Sequence, residues 1–206
     1  MKSSKTIYFF VIGVIILPVT VFGITQWYES RVQRLPVLGP EKHLVGNFRF
    51  TNQLSKVISQ NDWKDKIVVV NYFFTSCPSV CPKLMHALQK VQARGSKNVL
   101  INSFTVDPVR DSVGRLKAYA DKHGITSGWF LLTGDKISLY KFARTDLLID
   151  ATDGDGGPGD FIHSDQLVLI DPLKRIRGYY GGTDENEVNR LIRDIDKLQM
   201  EFKLLK

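Results

Sequence analysis

Disulfide stapling does not hold this chain together. Its 206 residues contain two cysteines, Cys77 and Cys81, far below the density of a cross-linked miniprotein. Glycine (16) and proline (8) are too few and too scattered for a collagen-like or linker-type chain. Also missing is a basic run interleaved with aromatics, which a nucleic-acid site requires. The formal charge of +7 is spread along the chain instead, so no nucleic-acid partner is expected. No internal repeat is visible, and the single low-complexity stretch, Asp150 to Asp160, reads as an exposed loop. Apolar residues are plentiful: 43% of the chain is hydrophobic, with 12 Phe, 7 Tyr and 3 Trp. That suffices for one packed domain with a modest extension and excludes a largely disordered chain.

The extension is N-terminal. Ile7 to Ile24 is apolar and uncharged, with Lys2 and Lys5 before it and Trp27 and Tyr28 after it. At ~1.5 Å per residue such a helix spans ~27 Å, enough for a hydrocarbon core if its ends snorkel. Lysines before the segment and aromatics at its far end orient an anchor with the N-terminus inside and the rest outside. A cleaved signal peptide is the rival, but Val21 and Gly23 make a poor small-x-small site. A buried core helix fits less well, because the segment has no amphipathic face. The expected organisation is a cytoplasmic tip and transmembrane signal anchor over residues 1–28, a polar stalk over 29–43, and a domain over 44–206 on the extracytoplasmic face. Beyond residue 40 the chain carries 24 basic against 20 acidic groups, so the domain itself is only weakly basic.

Within the domain, Lys66 to Phe74 is β-branched and aromatic on both parities, which predicts a central strand covered on both faces. A helix is expected over Pro82 to Arg94, a second buried strand over Val99 to Val106, and a helix capped by Ser112 that ends at His123-Gly124. Trp129 to Leu132 reads as a short strand and Asp135 to Ala143 as a short helix. Gln166 to Ile170 and Arg175 to Tyr180 form a hairpin through Asp171-Pro172-Leu173-Lys174, and Asp184 to Leu205 is an amphipathic helix. This succession predicts an α/β sandwich.

Cys77-Pro-Ser-Val-Cys81-Pro follows the central strand directly. A strand-to-helix junction brings both thiols to oriented N–H groups at a helix start, which favour thiolates. Pro82 suits a first turn but would break a helix begun at Pro78, so Cys81 is expected at the N-cap. A merely stabilising disulfide across so short a loop is worth only ~2 kcal/mol. Redox dithiols usually read C-x-x-C and face a proline before the neighbouring strand. Here the spacing is C-x-x-x-C, and Phe161-Ile162-His163-Ser164-Asp165-Gln166 contains no proline. A metal site wants a third donor, and His163 stands in that loop.

The segments FFTSCPSVCPKLM (Phe73 to Met85), FTVDPVRDSVGRLKAYA (Phe104 to Ala120), LLTGD (Leu131 to Asp135) and His163-Ser164 followed by LVLIDP resemble the SCO/SenC family of copper-binding cytochrome c oxidase assembly proteins. The similarity runs from about Leu44 to the end. It implies a thioredoxin-like fold, a central mixed sheet flanked by helices with an N-terminal transmembrane anchor. Cys77, Cys81 and His163 fall on the family's copper ligands, and Asp107 and Asp111 on its D-P-x-R-D motif. Ser79 and Ile162 stand where aspartates are frequent, so this chain carries less negative charge near the metal. Two thiolates and an imidazole suit Cu(I) and tolerate Cu(II). Zn²⁺ prefers a fourth ligand, and none is obvious. A Cys77–Cys81 disulfide has no thiolates to offer, so a thioredoxin-type reductant must act before loading.

The expected function is a metallochaperone, more binding protein than enzyme, that delivers one copper to the dinuclear site of the oxidase's copper-bearing subunit. The alternative is an extracytoplasmic thiol-disulfide oxidoreductase that uses Cys77 and Cys81 as its redox pair. A peroxidase-like relative of the thioredoxin superfamily is weaker. Asp107 is a possible modulator of copper or a partner contact; otherwise it forms an Asp-Pro turn. Asp111 reads as a helix-start residue beside Ser112. His43, His86 and His123 read as incidental, and Met85 as core. The aspartates of the Asp150 to Asp160 loop miss the EF-hand calcium register; a flexible loop that lets His163 swing is the better reading.

Overall fold

A computed structural model describes residues 8, 10–32, 34–94, 98–149 and 164–203. His163 and the Asp150 to Asp160 loop lie outside the described residues. Near the N-terminus a π-helical turn, Ile12–Ile16, runs into helix α1, Leu17–Val32. Val14, Val19, Phe22 and Ile24 on these elements are exposed. No helix among the described residues is long and apolar enough to cross a membrane. Residues 1–7 and 9 of the expected anchor region lie outside the described residues.

A seven-stranded sheet forms the domain. Its strands are β1 (Arg49–Asn52), β2 (Val57–Ser59), β3 (Ile67–Phe73), β4 (Val99–Thr105), β5 (Trp129–Thr133), β6 (Gln166–Ile170) and β7 (Ile176–Gly181), in spatial order β2-β1-β5-β4-β3-β6-β7. Strands β3, β4 and β5 run parallel, and every other pairing is antiparallel. All seven residues of β3 are buried, as its two-parity apolar pattern demands. Val68, Val70 and Tyr72 face one core and Ile67, Val69 and Phe73 the other.

The first core is aromatic: Phe48 packs on Trp63 and Phe142 at centroid distances of 4.7 and 5.0 Å, and Phe50 on Phe104 at 5.5 Å. It is closed by helix α4, Lys136–Lys141, and the π-helical turn Phe142–Asp146. The second core is aliphatic and lies beneath α2 (Val80–Ala93), α3 (Val113–Lys122) and α5 (Glu185–Lys203). Leu116 and Ala120 of α3 are buried, as are Val188, Leu191, Ile195 and Leu198 of α5, while Tyr119 and Phe202 are partly buried against the same core.

Residues in the expected stalk already touch the domain. Leu38 forms a bridge with Ile176, and His43 Nε2 lies 2.9 Å from the Asp146 carbonyl. Arg177, whose side chain is 1% exposed, donates to the carbonyls of Leu35 (2.6 Å) and Pro36 (3.1 Å). The same guanidinium pairs with Asp171 at 2.8 Å and Glu201 at 2.9 Å. A buried cation with this many acceptors is fully satisfied, and it fixes the incoming chain to β7 and α5.

Candidate metal and dithiol centre

The parallel strand β3 ends at Phe73, and the chain turns at once: the Cys77 N–H donates to the Phe74 carbonyl at 3.2 Å. Helix α2 then begins at Val80 with Ser79 in the cap position. Cys81 is therefore the second helical residue and not the N-cap expected from Pro82. The reason is that the first amides of a helix have no intrahelical partner, so a proline at the third position loses no hydrogen bond. Ser79 makes no side-chain cap bond. The Cys81 N–H instead points at Cys77 Sγ, 3.4 Å away.

The two sulfurs stand in different surroundings. Cys77 is half-buried and Cys81 is 3% exposed; both are free thiols. Partial burial pushes the Cys77 thiol up, but hydrogen bonds from the amides of Cys81, Ser79 and Val80 outweigh it and hold Cys77 below the ordinary thiol value. Burial pushes Cys81 up to about 12, with the charges of Cys77 and Asp111 adding to the shift. At pH 8 only on the order of one Cys81 in ten thousand is a thiolate on that value. Limited iodoacetamide labelling of the metal-free, reduced chain at pH 8 is therefore expected to modify Cys77 more than about tenfold faster than Cys81. Peptide mass mapping over time reads this directly, and equal labelling would contradict it.

A cleft of about 380 Å³ opens beside the sulfurs, lined among others by Phe74, Cys77, Pro78, Cys81, Val106 and Ser164. Tyr119 packs on Phe73 at 5.6 Å and on the His123 ring at 4.2 Å. Burial, then the charges of Cys81, Cys77 and Asp111, raises its phenol above the ordinary value. Met85 is 1% exposed and belongs to the aliphatic core. His86 is exposed on α2. Asp107 follows β4, accepts the N–H groups of Arg110 and Asp111 on its carbonyl, and sets its carboxylate 3.7 Å from Arg110. These contacts make it a turn residue. Among the described residues no three His, Cys, Asp or Glu side chains stand together as a metal-binding set.

Asp111 is where sequence reasoning fell short. Ser112 caps α3 as expected, with its Oγ accepting from Arg115 N at 3.4 Å. The Asp111 carboxylate is 1% exposed and turns the other way. It accepts the Thr75 N–H at 3.1 Å, the Thr75 hydroxyl at 2.5 Å and the Thr105 hydroxyl at 2.6 Å. Thr75 lies 36 residues away in sequence, so only a D-P-x-R-D reading tied to the cysteine loop could have found the contact.

A mixed sheet whose central parallel strand delivers two cysteines to a helix start, with further helices on both faces, defines a thioredoxin-like domain with a dithiol centre. More narrowly, the chain belongs to the SCO1/SenC family, whose family model matches residues 38–199. The crystal structure of a SCO1/SenC family lipoprotein from Bacillus anthracis is 31% identical, with a TM-score of 0.65, covering 80% of this chain and 99% of that one. BsSco, described as a Sco-family cytochrome c oxidase assembly protein with a disulfide switch, is 25% identical with a TM-score of 0.63, covering 79% of this chain and 96% of that one. ScoI of Bradyrhizobium japonicum, solved with copper bound, shares the fold at a TM-score of 0.55 and 22% identity, covering 75% of this chain and 99% of that one.

Proposed function

We propose that this protein is a membrane-anchored copper carrier. In this reading it binds one copper ion through Cys77, Cys81 and His163 and delivers it to the dinuclear copper site of a cytochrome c oxidase subunit on the outer face of the membrane. The observation that carries the reading is the pair of free thiols at the start of α2, one fully buried and one at the mouth of the cleft. His163 directly precedes Ser164, which lines that same cleft; this supports it as the third ligand. Copper as cargo is further supported by the copper-bound ScoI and by the assembly role given for BsSco. Three soft donors hold Cu(I) firmly yet leave room for an acceptor's ligand. The anchor rests on the apolar stretch from Ile7 to Ile24.

Loading requires thiolates. In the oxidised form a Cys77–Cys81 disulfide blocks uptake, and a thioredoxin-type dithiol restores the site by giving two electrons and two protons while becoming a disulfide itself. Anaerobic Cu(I) titration of the reduced chain tests the proposal: one copper per chain is expected, and none after the pair is oxidised. A reduced chain that binds no copper would sink it. Because copper displaces the Cys81 proton, held at about 12, apparent affinity is expected to rise about tenfold per pH unit for each proton released near neutrality.

A second reading, a thiol-disulfide oxidoreductase, is favoured by the contrast between the accessible Cys77 and the buried Cys81. In that case Cys77 attacks a substrate disulfide, and Cys81 resolves the mixed disulfide and leaves the pair oxidised. His163→Ala separates the two readings: a reductase keeps its dithiol turnover, whereas a carrier loses most of its metal.

A further inference from the structure

The turn that carries Cys77 is held from outside by one buried anion. Thr75, two residues before Cys77, gives both its N–H and its hydroxyl to Asp111, and its Oγ1 accepts from Arg115 Nε at 2.7 Å. Thr105 at the end of β4 gives its hydroxyl to the same carboxylate and accepts the Asp107 N–H at 3.0 Å. The Arg115 Nε lies 3.7 Å from Asp111 Oδ1. Each hydroxyl thus donates once to Asp111 and accepts once from elsewhere, which leaves neither threonine free to turn. A buried carboxylate with three donors is costly to place and rigid once placed.

We propose that Asp111 is a positioning residue for the sulfur centre: through Thr75 it ties the Cys77 turn to the end of β4 and the start of α3, and so sets where the Cys77 sulfur stands against the Cys81 N–H. Its effect on copper rests on the carrier reading above; its effect on the loop does not. Holding one ligand in register before the metal arrives reduces the ordering cost of binding. Asp107 and Asp111 then divide the work of the D-P-x-R-D motif. The first closes the turn through its carbonyl, and the second reaches across to the cysteine loop.

The test uses the full chain with three substitutions, Asp111→Asn, Thr75→Val and Thr75→Ser. Two readouts are measured: Cu(I) affinity by competition, and amide hydrogen exchange by NMR in the reduced, metal-free state. Asp111→Asn and Thr75→Val are expected to weaken copper about 10- to 100-fold, the usual range for lost outer-shell support. They should also speed exchange of the Cys81 amide while amides of β3 keep their protection. Thr75→Ser, which retains the hydroxyl, should match the parent in both. Unchanged Cys81 exchange in Asp111→Asn and Thr75→Val overturns the inference, as does unchanged copper affinity in a parent that binds copper. If the parent binds no copper, the carrier reading fails and exchange alone decides the role of Asp111. If Asp111→Asn does not fold, Thr75→Val decides.

Discussion

Cys77→Ser is expected to bind copper at least about a hundredfold more weakly than the parent chain. Metal sites built of sulfur and imidazole gain about 10–16 kcal/mol in all, so each of a few ligands carries several kcal/mol, and every 1.4 kcal/mol is tenfold. Serine keeps the size but offers a hard, protonated oxygen in place of a soft thiolate. Cys81→Ser should do the same with an added cost, since Cys81 is packed beside Leu84 and Leu88 in the aliphatic core. His163→Ala removes the weaker donor and should lose less. The measurement is competitive Cu(I) titration against a chelator of known affinity, with far-UV circular dichroism confirming the fold. Tight binding retained by Cys77→Ser would remove the sulfur pair from the metal site.

The largest expected loss of stability comes from the opposite end of the sheet. Arg177→Ala leaves the buried Asp171 without one of its two guanidinium partners, and strips Leu35 O, Pro36 O and Glu201 of their donor. Removing one member of a buried ion pair costs about 3–5 kcal/mol. Asp171 retains Arg175 at 2.7 Å, which places the expectation near the lower bound, about 3 kcal/mol. Urea unfolding of the reduced chain reads it as a lower midpoint at unchanged slope. A loss below about 1 kcal/mol would show that the network is dispensable.

How much of this was legible follows from the range of the signals. β3 declared itself because six of its seven residues are apolar or aromatic, on both parities, which leaves no exposed face, and α5 because its stripe repeats over 19 residues. The hairpin β1–β2 was not legible. Its strands hold four and three residues, too few to show a period of two, and its turn places Ser55 at φ 59° without a glycine to mark it. The start of α2 was misplaced by two residues because Pro82 marks the first turn without saying which position in it. The cysteine pair stood out from its place directly after β3 and its C-x-x-x-C spacing, which left dithiol and metal chemistry both open. The Asp111 clasp was not, since an aspartate before a capping serine looks like a helix-start residue until the tertiary fold brings Thr75 to it.

The position of Arg177 has one more consequence. It lies beside Ile176 at the start of β7, next to the hairpin that ends β6, and Ile170 of β6 pairs with Val68 near the beginning of β3. Cys77 lies past the opposite end of β3, about 20 Å further along at ~3.3 Å per residue. The incoming chain at Leu35 to Leu38 and the sulfurs thus lie toward opposite ends of β3. The working end is carried outboard, like a hook at the tip of a jib. Under the anchored reading proposed above, a visiting protein can cover the cleft without crowding the point where the chain joins the domain, and lengthening the segment before Leu35 changes the hook's reach while leaving its grip untouched.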